Sequence, residues 1–457
     1  MTTKKNLRQF GLILFLTYLI LNIAIAIIFL TNGFSFYEYL ESIPEILAQM
    51  VGEPLFWLAL SLPYWIFRLA KYWIKGFRFG GLKTFSRRFS FTFIAPVLAI
   101  FLFGQYSIWY KKSEDFTYKW DESAYNMQGS GKNYTLADSK IRGMHVFGVQ
   151  GLDSLRITSL TKGNIEQLIL VPYANQQDID TPLSQGSFGR RTERRDSVYR
   201  AVVKEALKLQ VEVIIKPHIW ISNPSGGKWR ADIWMDNEDD WQAWEREYEK
   251  FILHYAKLSE ELNLPLYCIG NEFYLSTTKR TEFWKSLIKK VRRVYTGELF
   301  YGANWDREFQ EIPFWDELDY IGIQAYFPLT DQLYPSLSEV KNGWGRHLDM
   351  IQSISEKYNR KVIFSELGYK STPDAAKYPW GWESFFKNLF QRVSNQTQVY
   401  CYQAFFDQVW NQDWFAGAMI WQWQVLSDDE PINHSFSPKG KPAFNEIAKG
   451  FKLINNE

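Results

Sequence analysis

LPLYCIGNEFYLSTTKR, residues 264–280, runs from an apolar stretch into an amide and a carboxylate, Asn271 and Glu272, and then turns polar. A short apolar run of this length reads as a buried strand, and a carboxylate at its end is costly unless it is paired or put to use. The same design recurs in KVIFSELGY, residues 361–369, where Glu366 stands near the end of the run. Outward from these two, further short apolar runs occur at 141–149, 165–173, 211–219, 299–304, 318–327 and 415–423. Amphipathic helical patterns lie between most of them, among them 191–209, 240–262, 279–295 and 380–398. Strand and helix in strict alternation predict repeated βα units on a parallel sheet. Eight such strands predict an α/β fold of the (β/α)8 TIM barrel type over residues 141–457, reached through a polar connector at 111–140.

The first 110 residues follow a different rule, and predict three transmembrane helices ahead of the barrel. Residues 10–30 carry no charge and are long enough to cross a bilayer as one helix. A second apolar stretch, 55–74, is interrupted by Pro63 and Arg68, and a third, 91–110, is again uncharged. No small-residue cleavage site follows the first stretch, so it is expected to stay on the chain as an anchor. Lys4, Lys5 and Arg8 precede it; the loop 31–54 has Glu38, Glu41, Glu45 and Glu53 and no basic residue; the loop 71–90 has six basic residues and no acid. Basic loops stay cytoplasmic. The expected topology is a multi-pass protein of the cell (inner) membrane, with a cytoplasmic N-terminus and everything beyond residue 110 outside the cytoplasm. The lipid bilayer is then one partner.

Charge is balanced, 52 Lys and Arg against 50 Asp and Glu, which supplies no basic field for nucleic acid. Aromatic residues make up 18% of the chain, enough to provide stacking surface as well as core and membrane anchors. Two cysteines, Cys268 and Cys401, imply no disulfide framework. The five histidines are scattered without ligand spacing, so neither a metal site nor a cofactor is expected.

A (β/α)8 barrel places its chemistry on the C-terminal ends of its strands. Glu272 ends the fourth strand and Glu366 the seventh, and these strands face each other across the barrel mouth. Two carboxylates about 5 Å apart suit a retaining glycosidase, in which one is the general acid while the other attacks the anomeric carbon. The alternative for each is a structural ion pair.

GNE on strand four, SELG on strand seven, Tyr326 in IGIQAYFPL and Trp421 on strand eight together resemble the clan A glycoside hydrolases. The stretches IIKPHIW, CIGNE, FWKSLIKKVRRVYTGELFYGANWD and FWDELDYIGIQAYFPL are similar to glycoside hydrolase family 113, whose characterised members are β-1,4-mannanases. The resemblance spans roughly residues 141–425. It implies Glu272 as acid/base and Glu366 as nucleophile, Asn271 as a ligand of the sugar 2-hydroxyl, and Tyr326 as a hydrogen-bond donor to Glu366; the alternative for Asn271 and Tyr326 is to satisfy loop backbone.

Further candidates rest on position alone. His145 and His218 end strands one and three, where they would bond substrate hydroxyls or serve as satisfied core histidines. Asn304 ends strand five as a hydroxyl ligand. Trp421 and Trp305, with Trp220 and Trp423, offer indole faces to sugar rings or belong to the core. The polar loop 175–195 borders the expected cleft; its Arg190, Arg191, Arg194 and Arg195 read as solvated helix-start charges or as ligands of an acidic glycan. The leading expectation is a membrane-anchored β-glycoside hydrolase acting on an external polysaccharide. The alternatives are a noncatalytic glycan-binding scaffold and a component of envelope polysaccharide export or assembly machinery.

Overall fold

The computed structural model describes residues 10, 12, 16, 18, 54–112, 114, 116–127, 131, 140–183, 190–381, 391–426 and 433–452. Two compact units divide the chain, Met1–Ile108 and Trp109–Glu457.

In the first unit, helix Pro54–Phe89 passes through a π-helical turn, Ser90–Ile94, into helix Ala95–Lys112. Sixteen residues of straight helix span about 24 Å, yet the Trp73 and Phe89 rings stand 4.8 Å apart. The chain therefore reverses, and it does so at Gly81, whose φ of 62° is one that glycine adopts without steric cost. Trp73 Nε1 donates to Thr92 Oγ1 at 2.7 Å across the reversal. Among the described residues one helical stretch, Ser61–Ser107, is long and apolar enough to cross a membrane. It takes in much of the second and third expected spans, as a chain that turns back on itself. The first expected span lies almost wholly outside the described residues.

In the second unit eight parallel strands close a barrel: β1 Ile141–Phe147, β2 Gln167–Leu170, β4 Glu212–Ile215, β6 Leu266–Asn271, β7 Glu298–Asn304, β8 Tyr320–Gln324, β9 Val362–Leu367 and β10 Phe415–Gln424. The other two, β3 Tyr173–Gln176 and β5 His218–Ile221, pair with each other. They continue β2 and β4 beyond Pro172 and Pro217, which lack the N–H that would extend the ladder. Two of the expected strands are thus each broken in two, and the broken-off pair carries Tyr173, His218 and Trp220 above the mouth.

Side chains alternate along each strand between the two faces of the sheet. Ile169, Ile214, Leu266, Cys268, Phe300, Ile363 and Met419 form one buried cluster inside the barrel, while Leu168, Val213, Tyr267, Leu299, Val362 and Ala418 join the larger core under the helices. The interior is therefore a packed apolar plug below and polar side chains above. Both cysteines are free and buried.

The expected helix 380–398 is corrected at its C-terminal part. The described helix is Asn395–Gln408, with Ser394 as its N-cap accepting from Thr397 N. Cap chemistry decides the start, because Ser394 satisfies a backbone donor that would otherwise be orphaned. The connector is structured where it is described. Glu114 accepts from the backbone N–H groups of Asn395 and Gln396, Tyr118 donates to Asn445, and Gly131 N donates to Leu209 O. These contacts pack it onto the barrel.

Candidate active site

The polar layer above the plug begins with Lys216, two residues beyond Ile214 and so on the same inward face. It is fully buried, and its Nζ lies 2.5 Å from Glu366 Oε1, 3.0 Å from His218 Nε2 and 3.4 Å from Asn271 Oδ1. Gly302 leaves the room: a Cβ there would stand 3.1 Å from Asn271 Cβ and 3.7 Å from Lys216 Cε. Tyr326 donates to the other carboxylate oxygen of Glu366 at 2.8 Å. Burial, followed by the Glu366 charge, pushes the Tyr326 phenol well above its usual value, so it stays a donor. Gln324 lies between Asn271 and Glu366. With its amide nitrogen toward the carboxylate it donates to Glu366 at 2.5 Å, which faces an acceptor with a donor; turned over, it donates to Asn271 Oδ1 at 2.9 Å.

Burial pushes Glu366 above the usual carboxylate range and nearby Glu272 adds to the push, while Lys216 and the Tyr326 hydroxyl act against it. His218 is held well below its ordinary value, first by burial and then by Lys216. It is neutral, and its Nε2 accepts from the lysine.

Glu272 sits just past β6 with a φ of 58°, a left-handed conformation costing a non-glycine residue about 1–3 kcal/mol. A bulge between Cys268 and Asn271 precedes it, and its backbone N–H is anchored on Gly302 O at 2.9 Å. Asn304 Nδ2 donates to its Oε1 at 3.2 Å, and Arg230 binds its Oε2. Asn304 is itself braced by Glu308, which accepts from Asn304 N and from Tyr301, both at 2.7 Å. Burial, above all, pushes Glu308 up to about 8.

Trp421 packs with Tyr326 and Phe436, and with Phe147 beside them. His218 stacks parallel to the indole at 6.4 Å, and His145 lies 5.0 Å from it. His145 is fully buried with Nδ1 3.3 Å from Ile420 O, and burial holds it well below its ordinary value. Asn271 is equally buried and spends its amide on Pro217 O at 3.1 Å. Trp305 stacks on Trp380 at 4.9 Å, and Trp220 is exposed above Tyr173. Of the predicted residues, Glu272 and Asn304 meet on one side, and Glu366, Tyr326, His218 and Asn271 meet on the other. Among the described residues no group of His, Cys, Asp and Glu side chains could hold a metal ion.

Comparison with known proteins gives the family. The profile described as Glycoside Hydrolase Family 113 matches residues 150–441. The chain belongs to glycoside hydrolase family 113. Two solved structures of a family 113 β-1,4-mannanase, one described as a complex, each superpose with a TM-score of 0.59 at 25% identity. Each covers 69% of this chain and 99% of its own. The family 113 β-mannanase of Alicyclobacillus acidocaldarius, in complex with ManMIm, shares the fold with a TM-score of 0.58 at 23% identity, over 69% of this chain and 98% of its own. No curated protein matches the chain.

As a glycoside hydrolase of family 113 the chain has its candidate chemistry at the C-terminal ends of its barrel strands, where this fold concentrates it. Three residues at that site escape the sequence reading. Lys216 left a signal, a lysine inside the apolar run VEVIIKPHI. Gln324 left a weaker one, and Arg230, in the loop after β5, left none. Lys216 invites a direct test. Replaced by Met, it no longer offsets the effect of burial on Glu366, so the acidic limb of the pH profile of kcat/KM is expected to move to higher pH by about 1–3 units. An unmoved limb would show that Lys216 does not hold Glu366 ionised.

Proposed function

We propose that the chain is a membrane-anchored, retaining β-glycoside hydrolase that cleaves β-1,4-mannan or a related polysaccharide outside the cytoplasm. The observation that carries this reading is the unequal company of two buried carboxylates. Glu366 is gripped by a lysine, a phenol and an amide at the floor of the site, whereas Glu272 holds a strained backbone conformation beside Asn304 and is paired with Arg230 from a loop. Glu366 attacks the anomeric carbon as Glu272 passes a proton to the departing oxygen. Glu272 then takes a proton from water, which opens the glycosyl ester and restores both groups. The β-1,4-mannanases among the solved relatives favour mannan as the backbone.

Two displacements at one carbon retain its configuration. Incubated with β-1,4-mannohexaose, the full chain is expected to yield shorter mannooligosaccharides whose new reducing ends are first seen by NMR as the β-anomer. The α-anomer appearing first would overturn the two-step path. Cleavage of cello- or xylo-oligosaccharides with mannohexaose untouched would overturn the sugar.

Exposed Trp65, Ile66, Ile100 and Phe101 on the helical stretch 61–107 give it the apolar surface that lipid requires. With basic residues at 1–9 and 71–90, three crossings would leave the barrel outside the cytoplasm. Protease added to spheroplasts is expected to digest the barrel; protection of a C-terminal tag until lysis would reverse the topology. A fragment beginning near residue 109 keeps the Glu114 and Tyr118 contacts and is expected to be soluble on gel filtration, because a closed barrel leaves no sheet edge to cover. Aggregation of every such fragment would make the anchor part of the fold.

A further inference from the structure

Arg230 occupies the place where the proposed acid must work. Its Nη2 binds Glu272 Oε2, and an arginine on that carboxylate competes with the proton that a general acid has to deliver. A productive complex therefore needs another acceptor for the guanidinium. Among the described residues no carboxylate other than Glu272 is bound to it. Its Nε is buried without an acceptor, the nearby Asp232 carboxylate is turned to the backbone N–H of Trp229, and Glu366 is already held by Lys216 and Tyr326. About a quarter of the Arg230 side chain, 23%, remains accessible. The guanidinium carbon lies 5.8 Å from the centre of the exposed Trp229 ring, with exposed Lys228 next along the chain.

Resting on the hydrolase reading above, we infer that Arg230 is a specificity residue for an acidic glycan: a carboxylate on the sugar at the scissile bond takes the guanidinium and so frees Glu272 to act. A sugar carboxylate matches the planar fork of arginine with two parallel hydrogen bonds, which a neutral hydroxymethyl group cannot do. The binding of the correct sugar and the release of the acid are then one event. A neutral chain would have to break the Arg230 to Glu272 pair with nothing in return.

The test uses the full chain in detergent and two probes, β-1,4-mannohexaose and the hexamer of β-1,4-linked mannuronate, which share backbone and linkage and differ in the charged group at C6. At low salt, kcat/KM is expected to be about tenfold or more higher for the mannuronate hexamer. R230Q should lose that preference while its kcat on mannohexaose rises, a gain that a merely structural arginine would not give. R230K, which keeps the charge without the fork, should fall between them. Equal or better cleavage of mannohexaose by the wild type would overturn the inference and leave the hydrolase reading intact, and a preference that survives in R230Q would overturn the role of Arg230. Were neither probe cleaved, calorimetry decides: mannuronate binding that R230Q abolishes supports the inference and places the failure in the hydrolase reading, and no binding overturns it. Should R230Q fail to fold, the wild-type preference and the intermediate position of R230K decide in the same way.

Discussion

Glu366→Gln is expected to lower turnover by ~10⁴-fold or more, on natural glycans and on activated aryl glycosides alike. The substitution keeps the shape of the side chain and removes the negative oxygen that forms the glycosyl ester. A better leaving group cannot compensate, because the bond that fails to form is the one to the enzyme. The fold is expected to survive. A glutamine at this position can still accept from Tyr326 through its amide oxygen, and the buried plug beneath is untouched. The check is hydrolysis of an aryl β-mannoside and of mannohexaose side by side, with circular dichroism as the control for folding. Activity on the aryl glycoside within tenfold of wild type would remove Glu366 as the nucleophile.

Glu272→Ala is expected to behave differently in each respect. Loss of a general acid costs about 10²–10⁴-fold on a poorly activated glycan, whereas an aryl leaving group departs without a proton and its first step should be nearly spared. The glycosyl ester then accumulates, because nothing activates water to open it. Azide is a nucleophile that needs no base. Added azide should restore turnover on the aryl substrate and release a β-azido sugar, which mass spectrometry and NMR identify. Equal losses on activated and natural substrates, with no azide product, would remove Glu272 as acid/base. The backbone strain at this position is not relieved by the substitution: alanine still carries a Cβ at positive φ, so stability should not rise.

What could be read from the sequence was what local order fixes. Short continuous apolar runs, with amphipathic helical patterns between them, follow from what a buried strand and a half-buried helix each demand of their own residues. Eight runs in that alternation left little choice but a closed parallel barrel. Since such a barrel exposes the C-terminal ends of its strands, Glu272 and Glu366 were visible as soon as their runs were. The uncharged stretches near the N-terminus were equally plain, because crossing a bilayer is a demand on composition and length.

The tertiary structure alone decided which side chains meet. Lys216 and Glu366 are 150 residues apart, and only the closing of the barrel brings the end of β4 to β9. A lysine in an apolar run announces an exception and does not say which acid it answers. Arg230 reaches Glu272 from a loop after β5, and loop paths depend on what they pack against. Pro172 and Pro217 were present in the sequence, yet that the chain would resume as β3 and β5 and pair above the mouth depended on both strands being broken at matching heights. Likewise Gly81 permits a reversal, but the contacts of Trp73 with Phe89 and Thr92 show that the chain takes it. Pattern determines each element because its causes lie within a few residues; the chemistry of the site is set by distances between elements, which no local pattern contains.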